Sequence, residues 1–205
     1  MLKYQLLNAD RTKLQVKLYL LDGGAEYHET MRKAGEPAVQ QTEWILNHAE
    51  GRSYTVEEIF RLNLERETFR ANALMHWNAT QQRTTTGRPV DAILCPIAPT
   101  LAPPHDTTSW WGYSSHWNIL DLPAVVFPVG RYTAGDSLPE PAEPRNDIER
   151  FIHAQWQPGT YDNAPVNLQL VGRRHGEERL LAMLDVVENV VGKEACEASQ
   201  ESFSK

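Results

Sequence analysis

The first apolar segment of the chain fits two kinds of secondary structure. Four apolar residues alternate with polar ones: Leu14, Val16, Leu18 and Leu20. This period of two predicts a half-buried strand, but Leu14, Leu18 and Leu21 also fall on one face of a helix. The Asp22-Gly23-Gly24 break that follows would end either element, so both alternatives stay open.

Helical signals follow at two places in the first half of the chain. The residues from Ala25 to Ala34 favour a helix, which Gly35 closes. Thr55 and Glu58 have the spacing of a capping box, and no Gly or Pro interrupts the next stretch to about Gln82. The apolar residues of this long helix fall on two faces, so we expect both sides of it to be covered.

The second half of the chain predicts three strands and a closing helix. The runs Val90–Ala98 and Ala124–Val129 are continuously apolar, which is typical of strands buried on both faces. Residues 166–170 alternate as a half-buried strand that Gly172 ends. A helical stripe follows at Leu180, Met183, Leu184, Val187, Val190 and Val191. This order of helices and strands predicts a layered α/β protein.

Two segments of the second half lack the pattern of a packed element. Residues 131–163 contain four prolines among acidic and small residues, so we interpret this segment as a Pro-rich surface excursion. Residues 192–205 are too polar to pack and are predicted to form a frayed tail.

Charge and composition narrow the classes of partner. The formal net charge is -7 and the pI is near 5.5, which argues against nucleic acid as a partner. The start of the chain lacks a long apolar run, and nowhere do eighteen apolar residues follow one another, so we expect no membrane association. Cys95 and Cys196 are the two cysteines, which fits a reducing compartment and predicts a cytoplasmic location.

The residues most typical of catalysis have a simpler structural interpretation. Ser114-Ser115-His116 places hydroxyls beside an imidazole, but neighbouring side chains point apart, so helix capping or loop hydrogen bonding is favoured. The pair His105-Asp106 and the segment His175-Gly-Glu-Glu178 lack the ligand spacing of a metal site. The glycines form no phosphate-binding fingerprint. We therefore predict neither a metal nor a cofactor.

An aromatic cluster is the strongest candidate for a binding site. Four aromatic residues lie within eight positions, at Trp110, Trp111, Tyr113 and Trp117. Aromatic walls with a few amide or hydroxyl groups are typical of small-molecule pockets, although a loop buried against a larger body explains the cluster equally well. The residues predicted to bind substrate are Trp111, Tyr113, Trp117 and Asn118.

Six ordered segments together resemble the amidase signature family, and fungal acetamidase-type enzymes in particular. They are Tyr19-Leu-Leu-Asp-Gly-Gly24, Ala34-Gly-Glu-Pro37, Pro89-Val-Asp-Ala-Ile-Leu-Cys-Pro96, Trp111-Gly-Tyr-Ser-Ser-His-Trp-Asn118, Leu122-Pro-Ala-Val-Val-Phe-Pro128 and Ala164-Pro-Val-Asn-Leu-Gln-Leu-Val-Gly172. The resemblance extends over residues 18–191, and residues 1–17 depart from it as an atypical N-terminal extension.

The resemblance implies the C-terminal part of the amidase-signature fold, a mixed sheet flanked by helices that is incomplete on its own. Members of that family hydrolyse carboxylic amides with two serines and a lysine, which precede every segment matched here. The resemblance therefore transfers no catalytic residue to this sequence. None of its lysines lies in an apolar setting that would depress the lysine pKa.

Two functional hypotheses follow from the resemblance. The first is an amidase-family polypeptide that lacks the Ser-Ser-Lys region and would act on a small-molecule amide without a cofactor. The alternative is a catalytically inactive remnant or a small-molecule-binding pseudoenzyme that keeps the aromatic pocket. Because the fold implied is incomplete, we also expect self-association through uncovered apolar surface.

Overall fold

The computed structural model describes residues 9–108, 110–135 and 142–191, and these form two compact units. The first unit contains the described residues up to Val90 together with Asn118–Leu120. The second contains Asp91–Trp117 and the described residues from Asp121 onward. The predicted tail at 192–205 and the first eight residues of the predicted N-terminal extension lie outside the described residues.

The first unit is built from helices. Their bounds are α1 Ala9–Tyr19, α2 Ala25–Ala34, α3 Gln40–Leu46 and α4 Val56–Ala79, and a 3-10 turn follows at Thr80–Arg83. Helix α1 packs against α4, with Leu14 only 5% exposed, and Leu20, directly after α1, is only 1% exposed. The strand predicted from the alternating pattern is therefore wrong, and the helical alternative is correct. Packing against α4 decides between two periods that the local sequence satisfies equally.

The predicted helix signals of the first unit are confirmed. Gly35 closes α2 with a left-handed backbone, at φ 70°, which is the conformation that favours glycine at a helix end. The capping box also forms, because Thr55 Oγ1 accepts from Glu58 N at 3.3 Å and Glu58 Oε2 accepts from Thr55 N at 2.8 Å. Arg52 pairs with the same carboxylate at 2.9 Å. These hydrogen bonds, with Arg52 the largest cause, lower the pKa of Glu58 to about 2.

Helix α4 buries one side and leaves an apolar stripe on another. Trp77 is 4% exposed, and its Nε1 donates to Val90 O at 2.8 Å. Val56, Phe60 and Leu64, by contrast, are 67%, 70% and 68% exposed. The expectation that both sides of this helix are covered is therefore wrong for the described chain, because no described element packs over these three residues.

The second unit contains a three-stranded antiparallel sheet. Its strands are β1 Ile93–Pro96, β2 Ala124–Arg131 and β3 Pro165–Val171, in the order β1-β3-β2. Within the described residues, β3 pairs antiparallel with both neighbours, so Gln169 lies opposite Cys95 on one side and Val126 on the other. A bulge interrupts the β2 register between Pro128 and Gly130.

The two continuous apolar runs form the edge strands of this sheet, so the prediction that they are buried on both faces is wrong. Leu94 is 53% exposed and Val126 is 45% exposed. Pro96 and Pro128 give the physical reason, because proline cannot donate to a strand ladder and is confined to edges and bulges. The alternating run is β3, the central strand, and its last residues are buried.

Three further helices follow in the described chain. They are α5 Gly112–Leu120, α6 Asp147–Ala154 and α7 Glu177–Val191, with a 3-10 turn at Pro158–Tyr161. The last three residues of α5 are those already assigned to the first unit. Helix α7 packs on β2 and β3, and the core contains Phe127, Leu170 and Leu180. The helical stripe predicted for α7 is confirmed. No described helix combines the length and hydropathy that a bilayer-crossing segment requires.

We expect Leu180→Ala to lower the free energy of unfolding by about 2–5 kcal/mol, because it opens a cavity in the core of the second unit. Leu180 is 3% exposed, whereas its neighbour Leu181 is 54% exposed. Leu181→Ala is therefore the matched control, with an expected change within about 0.5 kcal/mol. Urea unfolding of both variants measures the difference. Equal losses would contradict the assignment of this core.

We expect Glu58→Gln to remove an acid-sensitive part of the stability. The folded pKa of Glu58 is about 2 against an ordinary 4.5, so its contribution is present above pH 4.5 and is lost as the pH falls toward 2. The stability difference between the parent chain and this variant should therefore shrink over that interval. Glu57→Gln, which removes an exposed ion pair with Arg61, is the control. Parallel pH profiles for the parent chain and Glu58→Gln in urea unfolding would contradict the capping role.

Candidate functional site

A loop between β1 and α5, residues 97–111, carries two tryptophans of the aromatic cluster; we call it the aromatic loop. Its last turn is tightly built. The rings of Trp110 and Tyr113 meet edge to face, with centroids 5.2 Å apart. A Cβ placed on Gly112 would lie 2.1 Å from the Trp110 indole, so glycine is required there for the ring to approach the backbone.

The four residues predicted to bind substrate lie in different environments. Trp111 and Tyr113 are half-buried at the start of α5, and Trp117 is 3% exposed with its ring edge-on to His116 at 4.7 Å. Asn118 belongs to the first unit, where its side-chain amide donates to the Tyr19 hydroxyl at 3.4 Å. Trp111, Tyr113 and Trp117 thus belong to the second unit and Asn118 to the first. Substrate binding by these four residues stays a prediction.

A buried glutamine that the sequence analysis missed joins the two ends of the aromatic loop. Gln169, on β3, is 2% exposed. Its Nε2 donates to Pro96 O at 2.8 Å and to Tyr113 O at 3.1 Å. One amide thus links the end of β1 to the first turn of α5. The sequence signal that could have identified Gln169 is its place between Leu168 and Leu170 on a predicted strand. A polar residue that is buried at such a position is expected to make hydrogen bonds.

The Cys95 thiol lies on the same face of the sheet as Gln169. Cys95 is opposite Gln169 in the ladder, and its side chain is partly buried. Burial raises the pKa of the Cys95 thiol, while Gln169 and Trp117 lower that pKa in part. The reactivity of the Cys95 thiol should therefore depend on how closely the side chains pack around Gln169.

The Pro-rich excursion reaches the aromatic loop. Gln155 follows α6, and its Nε2 donates to Thr107 O at 2.7 Å. The excursion closes on itself where Tyr132 N donates to Ala164 O at 3.0 Å and Asn163 N donates to Tyr132 O at 2.8 Å. The described part of this segment, 131–135 and 142–163, therefore contains an ordered helix and a hydrogen-bonded base.

Stacked aromatic rings support the same excursion. Trp156 stacks on Tyr161 with centroids 4.7 Å apart and 12° between the planes, and Tyr132 meets Trp156 edge to face at 5.3 Å. Tyr161 is 1% exposed and Tyr132 is 6% exposed. The position of Gln155 is thus set by packing within the Pro-rich excursion.

The remaining candidate groups have local roles. Ser114 Oγ donates to Trp111 O at 3.1 Å, which matches the hydrogen bonding favoured for that serine. Ser115 and His116 are each 5% exposed, so both lie in the interior. Among the described residues, no group of three or more His, Cys, Asp or Glu side chains is arranged to hold a metal ion.

Comparison with known proteins identifies the family to which this fold belongs. The model of the amidase family matches residues 12–181. A Schizosaccharomyces pombe protein named as an amidase is 37% identical over 172 residues, covering 83% of this chain and 31% of the relative. The acetamidase of Aspergillus oryzae is 30% identical over 177 residues, covering 86% of this chain and 32% of the relative.

A solved structure shows the same fold. Fatty acid amide hydrolase superimposes with a TM-score of 0.75 at 29% sequence identity, over 89% of this chain and 32% of that chain. The chain spans about a third of the length of the curated relatives it matches. Its α/β architecture therefore corresponds to the C-terminal portion of the longer proteins, as the resemblance implied. On the family match and this shared fold, the chain belongs to the amidase family.

Proposed function

We propose that these residues form the C-terminal portion of an enzyme that hydrolyses carboxylic amides, and that the aromatic loop with the start of α5 supplies one wall of its substrate pocket. The observation that carries the proposal is the family match over residues 12–181, which includes the whole aromatic loop. In this proposal the Ser-Ser-Lys catalytic region of the family lies outside the 205 residues.

The chemistry of amide hydrolysis explains why we assign substrate binding, and not bond breaking, to residues of this chain. Hydrolysis of an amide requires an activated hydroxyl, a proton shuttle for the leaving amine and donors for the oxyanion, each worth orders of magnitude in rate. Trp111 and Tyr113 offer apolar area and ring faces, which suit the acyl group of an amide. We assign these two residues to binding and none of the described residues to bond breaking. The proposal invokes no cofactor.

The substrate we propose is a small-molecule carboxylic amide. One relative is named acetamidase and the structural neighbour is named fatty acid amide hydrolase, so both names specify an amide. The two names differ in the size of the acyl group. We therefore propose a carboxylic amide as the class of substrate, without specifying the length of its acyl group. We also propose a cytoplasmic location, because a sequence with only two cysteines fits a reducing compartment.

A small-molecule-binding pseudoenzyme is the second candidate function. It is favoured by the internal support of the aromatic loop, which Gln169 and Gln155 tether within the second unit itself. A pocket wall that is ordered in this way could bind an amide without turning it over.

We expect the purified 205-residue chain to release no ammonia from acetamide or benzamide. The reason is that a chain that supplies the scaffold and a pocket wall, but no activated hydroxyl, does not lower the activation barrier of amide hydrolysis. An enzymatic ammonia assay measures this, with the Aspergillus oryzae acetamidase as the positive control. Ammonia release by the chain alone would overturn the proposed absence of the catalytic region and would exclude the pseudoenzyme.

We also propose that the chain self-associates through the exposed stripe of α4, formed by Val56, Phe60 and Leu64. The matched pair Phe60→Asp and Asn72→Asp adds the same charge on and off this stripe. At about 100 µM, where exposed apolar surface drives association, Phe60→Asp should shift the chain toward the monomer and Asn72→Asp should not. Light scattering after size-exclusion chromatography measures the mass. A monomeric parent chain would contradict the proposal.

A further inference from the structure

We infer that Gln169 and Gln155 are positioning residues that hold the aromatic loop in one conformation, and thereby set the amide-binding wall. The role in amide binding rests on the proposed function, whereas the tethering of the loop rests on the geometry alone. Gln169 holds Pro96 and Tyr113, on either side of the loop, and Gln155 holds Thr107 within it. The Pro-rich excursion contributes to this arrangement, because it contains Gln155, which holds the loop at Thr107.

The position of Gln169 in the sheet directs its amide to the loop. Residues directly opposite one another in a ladder share a face, so Gln169 lies on the face of Cys95 and Val126. Leu168 and Leu170 lie on the other face, which packs against α7. The alternation of β3 therefore gives one face to the apolar core and the other to the polar tether.

The chemistry of the tether requires a side-chain amide. Both contacts of Gln169 use Nε2 as the donor to backbone carbonyls, so the two protons of one NH₂ group serve the two ends of the loop. A carboxylate at this position could not donate, and an apolar side chain would leave two carbonyl oxygens without this partner. Because Gln169 is 2% exposed, water has little access to replace it.

A long loop needs such tethers to present a binding surface. The aromatic loop lies between β1 and α5, and its described residues, 97–108 with 110 and 111, contain no helix or strand. Ordering a free loop at the moment of binding costs conformational entropy, and holding it in advance removes that cost. At the end of the loop the Trp110 indole packs closely against the Gly112 backbone. Thr107 within the loop, and Pro96 and Tyr113 on either side of it, are thus held before any ligand arrives.

The experiment compares two isosteric substitutions with a matched control. Gln169→Met and Gln155→Met keep the side-chain size and remove the donors. Asn189→Leu removes an amide-to-carbonyl hydrogen bond of 2.8 Å on α7, away from the loop. All variants carry Cys196→Ser, so that Cys95 is the single thiol. The chain contains six tryptophans, and fluorotryptophan labelling reports on each by fluorine NMR.

We expect both glutamine variants to shift or broaden the resonances of Trp110 and Trp111, assigned by Trp→Phe substitution, while Trp44 in the first unit stays unchanged. Gln169→Met should also speed modification of Cys95 by a disulfide reagent by roughly tenfold, because it loses two buried hydrogen bonds beside the thiol. Asn189→Leu should change neither measurement. If Gln169→Met fails to fold, the Gln155→Met spectrum decides.

Benzamide titration separates the two proposals. Shifts of Trp111 on addition of benzamide to the parent chain, weakened roughly five- to tenfold in the glutamine variants, would support both the pocket and its tethers. An unresponsive parent chain with altered Trp110 and Trp111 resonances in the variants would contradict the proposed pocket and leave the tethers standing. Unchanged Trp110 and Trp111 resonances in a folded Gln155→Met variant would overturn the inference.

Discussion

The pairing of β3 with both of its neighbours is the constraint on which the second unit depends. This strand lies between β1 and β2, so its register places Cys95 and Val126 beside the same residue, Gln169. Its alternate residues pack against α7. Because successive side chains of a strand point to opposite faces, one short segment supports an apolar core and a polar network together. A slip of one residue would exchange the two faces and remove both.

The face of β3 that carries Gln169 links the sheet to the segments on either side of the aromatic loop. A buried amide is costly when unpaired, so its presence in the interior is explained by the carbonyls it bonds. Those carbonyls belong to Pro96 and Tyr113, on either side of the aromatic loop, within the segment that the amidase family shares. Family membership establishes the scaffold, whereas ligand recognition by the loop belongs to the proposed function.

Elements with strong local signals were predictable from the sequence. The left-handed Gly35, the capping box of Thr55 and Glu58, and the apolar stripe of α7 each depend on residues within one or two turns of each other. Their physical causes act locally, so the pattern and the structure agree. The family was predictable for a different reason, because six ordered segments are specific together, and the family match confirms it.

The sequence by itself thus determined where the three strands and the helices α2, α4 and α7 lie, and to which family the chain belongs. Only the tertiary structure decided that α1 is a helix, that the two apolar runs are edge strands, and that Gln169 and Gln155 meet the aromatic loop. Gln169 lies 73 residues from Pro96 along the chain, and Gln155 lies 48 residues from Thr107. Contacts over such separations depend on strand order and on packing between elements, which no local period of apolar residues encodes.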